Sequence, residues 1–279
     1  MKILIMTDLE GVAGVAVDQQ LGGIANPYYR KAREFLADEI QAAVEGAREA
    51  GADDFVICDG HGSGFDMMLD TGRIGPSVRF LSGLGGGCPY LSLAEEGLAA
   101  GFLVGQHPKH GPRGSLEHTG SDVIVQGLWI NGQEVGEAGT HGAAFGAMGF
   151  PLALTTGDEE VVREVEALGC GTVGVAVKRG LARERSLTLH PADACRQIRA
   201  GAARAVRELG RMRSWVPPPP HRLRLRYASA KFAEKYAPFG EADNVLFPYI
   251  ARIDADTVEI SGRSMIELLR RYDLMNRVV

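Results

Sequence analysis

Near its start the chain passes from an apolar segment to a polar one: residues 2–11 read Lys-Ile-Leu-Ile-Met-Thr-Asp-Leu-Glu-Gly. Residues 3–6 form an unbroken apolar run, which is typical of a strand buried on both faces of a sheet. The run is followed by two carboxylates, Asp8 and Glu10, and then by Gly11. The segment therefore predicts a buried β-strand whose carboxyl end opens into a polar loop.

Strand-like and helix-like segments alternate along the rest of the chain. Residues 28–50 carry apolar side chains at three- and four-residue spacing and stop at Gly51, which predicts an amphipathic helix. Asn131-Gly132 predicts the two-residue turn of a hairpin. Further strands are predicted at 55–58, 78–81, 99–104, 151–156 and 172–178, and further helices at 137–148, 158–168 and 192–210. This alternation indicates an α/β fold with a mostly parallel central sheet flanked by helices.

The proline run Pro217–Pro220 interrupts the pattern. Consecutive prolines favour an extended linker. Beyond them we expect a strand over 222–227 and a final helix that carries Met265, Leu268, Leu269 and Tyr272. We therefore predict an α/β domain over residues 1–216 and a smaller C-terminal α+β subdomain over residues 217–279, either appended to the first domain or integral to it.

The composition is that of an ordinary globular protein. Of 279 residues, 45% are hydrophobic and 23% are charged, so the chain can bury a core without disulfides or a structural metal. A formal net charge of −5 and the lack of a long basic block argue against nucleic-acid binding. No apolar run approaches the ~18 residues that cross a bilayer, and the first apolar run is too short for a signal peptide. The four cysteines lack CxxC spacing and are expected to be free thiols of a cytoplasmic protein.

Polar side chains follow three of the predicted strands at the point where each strand ends. Asp8 and Glu10 follow the first strand, His61 follows the second, and His107 follows the strand at 99–104. Because the carboxyl ends of parallel strands lie along one edge of an open sheet, we expect these four residues to meet there. A glycine stands beside or close to each of them and lets the backbone turn sharply. Singly, such residues more often cap loops or face solvent, but their convergence indicates a functional site.

Carboxylates and neutral imidazoles are ligands that suit Zn²⁺ or Mn²⁺. The four residues could hold one metal ion. A fifth carboxylate, with one carboxylate bridging, would allow two ions about 3.5–4 Å apart, as in many hydrolases. Both Glu134 and Glu137 follow the Asn131-Gly132 turn and could supply it. Glu137 is preferred because it stands among glycines in Gly136-Glu137-Ala138-Gly139.

With these residues assembled, the sequence resembles the D-aminopeptidase family of the dipeptide-operon type, the DppA-like zinc peptidases. The resemblance rests on short motifs that occur in the family's order over roughly the first half of the chain. They are Asp8-x-Glu10-Gly11, Asp59-Gly60-His61, Gly105-x-His107, His118-Thr119 and Asn131-Gly132-x-x-x-Gly136-Glu137.

The resemblance implies an aminopeptidase that binds two zinc ions per chain and cleaves short peptides with an N-terminal D-amino acid. By analogy Asp8 would bridge the two ions, Glu10 and His61 would complete one site, and His107 and Glu137 would complete the other. His118 matches the family's catalytic residue, a nucleophile or base beside the metals. The domain over residues 1–216 would then be the metal-binding catalytic domain, and a ring-like homo-oligomer is expected.

One position departs from the family's pattern, and two other functions stay open. Where the family leads us to expect an asparagine, this chain has Thr140-His141, and His141 could be an extra ligand, a substrate contact or a packing change. The alternatives are a metal-dependent amidase or phosphoesterase and a non-catalytic metal-binding assembly protein. The scarcity of basic residues near the motifs argues against phosphate, and a binding module does not need His118. The histidines predicted to lie outside the site are His110, His190 and His221.

Overall fold

Strand β1 (Lys2–Thr7) lies inside a seven-stranded sheet. The computed structural model describes residues 1–62, 72–81, 88–111, 113–121, 124–236 and 249–278. From one edge to the other the strands are β3 (Arg79–Leu81), β2 (Asp54–Asp59), β1, β4 (Ala100–Gln106), β7 (Leu152–Asp158), β8 (Val173–Ala182) and β9 (Arg185–Thr188). All neighbouring pairs are parallel except β8 with β9. The carboxyl ends of β1, β2 and β4 therefore lie side by side at one edge of the sheet.

Side chains of β1 alternate between two hydrophobic cores. Ile3 and Ile5 belong to the core that also holds the apolar faces of helices α1 (Pro27–Glu49) and α4 (Pro191–Glu208). Leu4 and Met6 belong to a second core, which contains the apolar residues of helices α2 (Glu137–Ala147) and α3 (Glu159–Glu166). Burial on both faces explains why the strand is apolar without a break.

A second, antiparallel sheet contributes to this second core. Its strands, in order across the sheet, are β11 (Ile250–Arg252), β12 (Thr257–Gly262), β10 (His221–Tyr227), β5 (Val125–Ile130) and β6 (Gln133–Val135). Strands β5 and β6 are joined by Asn131 and Gly132, both with positive φ, as the predicted turn requires. Helices α5 (Ala230–Tyr236) and α6 (Met265–Val278) complete this part of the molecule.

The predicted α/β class with a mostly parallel sheet is confirmed, and the helix predicted over 28–50 spans Pro27–Glu49. Strand β9 escaped prediction because its residues are mainly exposed and carry no apolar run. Strand β10 pairs with β5 on one side and β12 on the other, so residues after the prolines extend a sheet begun before them. The division at residue 217 stays a prediction.

Two of the predictions concern membrane-spanning helices and the state of the cysteines. Within the described ranges, no helix is both long and apolar enough to cross a membrane. The four cysteines are free thiols, two of them buried.

Candidate metal centre

The loops that follow β1 and β4 pack against each other backbone to backbone. Asp8 donates its backbone N–H to Val104 O at 2.9 Å, and Gly11 donates to Gly105 O at 2.7 Å. A Cβ at residue 11 would lie 2.0 Å from Gln106 O, so only glycine fits at that position. This close approach places the carboxylates that follow β1 next to His107, which follows β4.

The first cluster of side chains with metal-ligand spacing consists of Asp8, Glu10 and His61. His61 Nδ1 lies 3.1 Å from the Glu10 carboxylate and 3.5 Å from Asp8 Oδ1. On its other side the ring is fixed by Nε2, which is 2.7 Å from Leu21 O. Because a carbonyl can only accept, Nε2 carries a hydrogen, and Nδ1 is the ring nitrogen that faces the carboxylates.

The second cluster consists of His107, His118 and Glu137. Glu137 Oε1 lies 3.3 Å from His107 Nε2 and 3.7 Å from His118 Nε2. The two imidazoles stack with ring centroids 3.8 Å apart, so they present Nε2 on the same side. His107 Nδ1 lies 2.8 Å from Pro108 O, and His118 Nδ1 lies 3.0 Å from Leu116 O. These carbonyls again place the hydrogen on Nδ1 and leave Nε2 for the site.

Leu116 has a left-handed backbone, with φ of 56°, and its side chain is buried. This conformation is uncommon for a residue other than glycine, asparagine or aspartate and costs free energy. Here it accompanies the contact between the Leu116 carbonyl and His118. The backbone strain is thus located where it orients a candidate catalytic side chain.

Asp8 lies between the two clusters. Its Oδ1 faces His61 at 3.5 Å, and its Oδ2 faces His107 Nε2 at 3.3 Å. The backbone N–H of Leu9 donates to Oδ1 at 2.9 Å, and Gln106 Nε2 donates to Oδ2 at 3.1 Å. The two oxygens are therefore each oriented by a separate donor, toward a different imidazole.

The carboxylates and imidazoles of the two clusters shift one another's pKa values. Burial alone would raise the pKa of the Asp8 carboxyl, but His107 and His61 hold it well below its usual range. In the same way His107 and His118 outweigh burial and depress the pKa of Glu137. Burial alone would lower the pKa values of His61 and His107, yet the facing carboxylates raise both well above the usual histidine range. The site thus stabilises positive charge at the points where the imidazoles face the carboxylates.

These residues fit zinc on several grounds. Three imidazoles each have one nitrogen on a backbone carbonyl and the other directed at carboxylates, which is the usual arrangement of zinc-binding histidines. His107 Nε2 is fully buried and, among the residues that the structure describes, has no hydrogen-bond partner, so its lone pair could bind a metal ion. The donor set of carboxylate oxygens and imidazole nitrogens also matches zinc chemistry.

A layer of buried ionic contacts supports the clusters from behind. Arg33 and Asp59, both almost fully buried, form an ion pair at 2.9 Å. Asp59 Oδ1 also accepts from the backbone N–H of His61 at 3.3 Å. Lys178, on β8, donates its ammonium hydrogens to the backbone carbonyls of Glu10 and Val15. Such contacts fix the loops that carry Glu10 and His61, and buried charges persist only when paired in this way.

A cavity of about 390 Å³ opens over the clusters. Its polar lining, called the polar side below, includes Asp8, Glu10, His61, His118 and Glu137, together with Thr140 and His141. Its apolar and aromatic lining, called the apolar side below, comes from the segment before β5, from β5 and β10, and from α6, and consists of Ile124, Val125, Leu128, Leu225, Tyr227 and Tyr272. A pocket with convergent polar groups on one side and apolar side chains on the other is typical of a small-molecule site.

The structure brings together all the residues predicted from the sequence: Asp8, Glu10, His61, His107, His118 and Glu137. Glu134, the alternative to Glu137, lies outside both clusters and pairs with Lys109 at 3.2 Å. His141 also lies outside the clusters, but it lines the cavity. The histidines set aside, His110, His190 and His221, do not line the cavity.

Sequence reasoning missed the supporting residues Arg33, Gln106 and Lys178. Arg33 and Lys178 lie in ordinary helix and strand patterns that give no sign of their contacts. Gln106 stands directly before His107 at the end of β4, and that position was the only signal for it. Buried polar partners of this kind become visible only when the tertiary structure is known.

Comparisons with known proteins identify the family and the fold of the chain. A model of the peptidase M55 family, described as D-aminopeptidase, matches residues 1–274. Among solved structures, the fold is similar to that of a Zn-dependent D-aminopeptidase, DppA from Bacillus subtilis, described as a self-compartmentalizing protease. The TM-score is 0.89 at 21% sequence identity, over 99% of this chain and 97% of that one. No protein with a curated description matches the sequence significantly.

Proposed function

This chain belongs to the M55 family of D-aminopeptidases, and from that premise we propose that it is a dinuclear zinc enzyme that removes an N-terminal D-amino acid from short peptides. The observation that carries the proposal is the position of Asp8, whose two oxygens face imidazoles of two different clusters at 3.5 and 3.3 Å. A carboxylate placed in this way can bridge two metal ions, as in many two-metal hydrolases.

In this proposal each ion has its own ligands in addition to Asp8. Glu10 and His61 hold one ion, and His107 and Glu137 hold the other. His118 is close enough to Glu137 to bind metal as well. We assign it instead to proton transfer, because its side chain is 16% exposed on the cavity whereas that of His107 is fully buried. A residue that exchanges protons with a substrate has to be accessible to it.

The protein's own groups then divide the work of peptide hydrolysis. Zinc ions, when bound, act as Lewis acids that polarise a carbonyl and lower the pKa of water. His118 holds its Nδ1 hydrogen on the Leu116 carbonyl, so Nε2 is the nitrogen that can take up a proton and pass it to the leaving amine. The apolar side of the cavity excludes water and accommodates the substrate's side chain.

Metal analysis of paired variants tests the ligand assignment. Glu137→Gln keeps the shape of the side chain but removes its charge, so the metal content should fall below two ions per chain and activity should fall with it. Glu134→Gln is the matched control, since Glu134 is 41% exposed and pairs with Lys109. Elemental analysis of both purified variants measures the difference. Full activity in a metal-free preparation would contradict the proposal.

Hydrolysis of matched D- and L-alanyl amides by the zinc-loaded protein tests the substrate. We expect the D-alanyl amide to be cleaved and the L-alanyl amide to be cleaved much more slowly. Faster cleavage of the L-alanyl amide would still indicate an aminopeptidase but would contradict the proposed preference for D-amino acids. Cleavage of neither amide would favour a different small-molecule substrate.

We also propose that the protein assembles into a ring-like homo-oligomer and acts in the cytoplasm. The solved neighbour is described as self-compartmentalizing. Large apolar side chains that are more than half exposed in the single chain, and that an assembly would cover, are Ile24, Tyr28, Leu181 and Leu187. The free thiols agree with a reducing compartment. Light scattering should give a mass that is a multiple of 29.9 kDa, and a monomer would overturn the assembly.

A further inference from the structure

His141 occupies a position on helix α2 from which it can reach the substrate. It lies one helical turn after Glu137, and residues four apart on a helix are neighbours on one face, with Cβ atoms about 5–6 Å apart. Both residues line the 390 Å³ cavity. His141 is nevertheless outside the two clusters with metal-ligand spacing, so it is available for another role.

One edge of the His141 ring is held by Tyr90, which lies in a short 3-10 helix over Pro89–Leu93. Tyr90 Oη is 2.5 Å from His141 Nδ1 and 3.3 Å from Cys88 Sγ. Tyr90 is fully buried and Cys88 is 1% exposed. Neither Tyr90 nor Cys88 lines the cavity, whereas His141 does, so this contact occupies Nδ1 and leaves Nε2 as the ring nitrogen available on the cavity.

The direction of the Tyr90–His141 hydrogen bond determines whether His141 Nε2 is a hydrogen-bond donor or an acceptor. An imidazole lone pair is a far better acceptor than a thiol sulfur, which is only a weak acceptor. The Cys88 thiol can donate its own hydrogen to Tyr90 Oη, so both contacts remain hydrogen bonds when Tyr90 donates to nitrogen. We therefore assign the Tyr90 hydrogen to His141 Nδ1, which puts the hydrogen of a neutral His141 on Nε2.

Electrostatics keep both partners neutral. Burial lowers the pKa of His141, even though the carboxylates of Glu137 and Asp8 act in the opposite direction. Burial also raises the pKa of the Tyr90 hydroxyl, so Tyr90 keeps its proton. Among the residues that the structure describes, none accepts a hydrogen bond from His141 Nε2. A donor on the wall of the cavity without a protein acceptor is available to a ligand.

We propose that His141 is a substrate-binding residue that donates a hydrogen bond from Nε2 to an oxygen of the bound peptide, and that Tyr90 is the positioning residue that fixes this tautomer. The inference rests on the proposed peptidase function, since it names the substrate atom type. Two oxygens have the required chemistry: the carbonyl of the scissile bond, which gains negative charge during reaction, and the carboxylate of a dipeptide's second residue.

Steady-state kinetics of two variants test the hydrogen bond. His141→Leu removes the donor, whereas His141→Gln supplies an amide N–H near the position of Nε2. With alanylalanine of the chirality that the wild type cleaves, which carries both candidate oxygens, His141→Leu should lower kcat/KM, by about 100-fold if the acceptor is the developing oxyanion. His141→Gln should recover most of that loss. Both variants should keep the zinc content and the far-ultraviolet circular dichroism spectrum of the wild type, which separates a lost contact from a lost fold.

A second substrate identifies the oxygen. If Nε2 binds the scissile carbonyl, the loss in His141→Leu should appear in kcat and be equal for the alanyl amide and for alanylalanine. If Nε2 binds the terminal carboxylate, the loss should appear as a higher KM for alanylalanine only. Equal kinetics of His141→Leu and wild type on both substrates would overturn the inference. An inactive wild type would instead overturn the proposed function.

The tautomer is tested without any turnover. In protein labelled with nitrogen-15 histidine, the two ring nitrogens of His141 have different chemical shifts according to which one carries the hydrogen. The His141 signals are assigned by their loss in His141→Gln. We expect the Nε2–H tautomer in the wild type and a mixture in Tyr90→Phe, together with a severalfold fall in kcat/KM. The Nδ1–H tautomer in the wild type would overturn the donor role.

Discussion

The two walls of the cavity differ in composition and in how the chain builds them. The polar wall comprises the side chains of Asp8, Glu10, His61, His118 and Glu137. Asp8, Glu10 and His61 follow strands, Glu137 begins a helix, and His118 lies in a loop. The apolar wall comprises the side chains of Ile124, Val125, Leu128, Leu225, Tyr227 and Tyr272, contributed mostly by the antiparallel sheet and helix α6. The polar wall supplies charged and titratable groups, and the apolar wall determines the shape of the pocket.

The difference shows how chemistry and specificity can be separated in one pocket. On the polar wall nearly every side chain contacts another charged or titratable group at 3.1 to 3.7 Å, so a single substitution disturbs the whole cluster. On the apolar wall the aliphatic residues Ile124, Val125, Leu128 and Leu225 contribute hydrophobic surface to the pocket. We therefore expect substitutions on the polar wall to abolish function and those on the apolar wall to redirect it.

The largest effect is expected from Asp8→Asn. The amide keeps the size of the side chain but loses the charge that both clusters share, so metal content and kcat/KM should both fall, the latter by more than about 100-fold. That figure follows because changes to groups that merely orient a ligand already cost about 10- to 100-fold. Elemental analysis and steady-state kinetics provide the measurement.

Asp54→Asn is the control for Asp8→Asn. Asp54 starts β2, at the opposite edge of the same sheet, and pairs with Arg79 at 2.8 Å in solvent. Because exposed ion pairs contribute little, this variant should resemble the wild type. If Asp8→Asn retained both metal and activity, the expectation that substitutions on the polar wall abolish function would be wrong.

A loss of activity without a loss of metal is expected from His118→Ala. Removing the imidazole should leave the zinc content unchanged, since we assign His118 to proton transfer, and should lower kcat about 100- to 10,000-fold. His110→Ala is the control, because His110 belongs to the same loop but does not line the cavity. Loss of one zinc ion from His118→Ala would instead make His118 a ligand and move the catalytic role elsewhere.

A change of preference rather than a loss is expected from Ile124→Ala. Ile124 is only partly buried, so its truncation should enlarge the pocket at little cost in stability. Competition between substrates with small and large N-terminal side chains should shift toward the larger one by about tenfold, the usual effect of one or two methylene groups. Ile253 is exposed and does not line the cavity, so the control Ile253→Ala should leave the ratio unchanged. An unchanged ratio in Ile124→Ala would mean that Ile124 does not contribute to substrate preference.

The two walls also differ in how far the sequence predicts them. Asp8, Glu10, His61 and His107 follow strands directly, so the topology of a parallel sheet is enough to bring them together. His118 lies in a loop that no strand positions, and it could be singled out only by resemblance to a family.

The apolar wall could not be predicted for a physical reason. Leu225 and Tyr272 have the periodicity of ordinary core residues, and nothing local distinguishes a side chain that lines a cavity from one that fills a core. Leu128 and Leu225 become neighbours only through the pairing of β5 with β10, two strands far apart in the sequence. The second sheet was therefore missed as a unit, although several of its strands were predicted.

The smallest expected effect lies behind the polar wall, at Glu39. This buried carboxylate accepts from the backbone N–H of Ala13 at 2.9 Å. Burial raises its pKa from 4.5 to about 8, although Ala13 and Lys178 partly oppose the shift. Between these two values the folded protein holds a proton that the unfolded chain has released, so the free energy of unfolding decreases as the pH rises.

Glu39→Gln should flatten this dependence. The amide oxygen can still accept from Ala13 but does not titrate, so the variant should lose less stability than the wild type between pH 5 and pH 8. The difference should be at least about 1 kcal/mol, since one pKa unit corresponds to about 1.4 kcal/mol. Urea unfolding at several pH values measures it. Glu45→Gln, on the same helix but paired with Arg199 in solvent, should keep the wild-type slope. If the free energy of unfolding depended on pH in the same way in Glu39→Gln and in the wild type, Glu39 would not contribute to the pH dependence of stability.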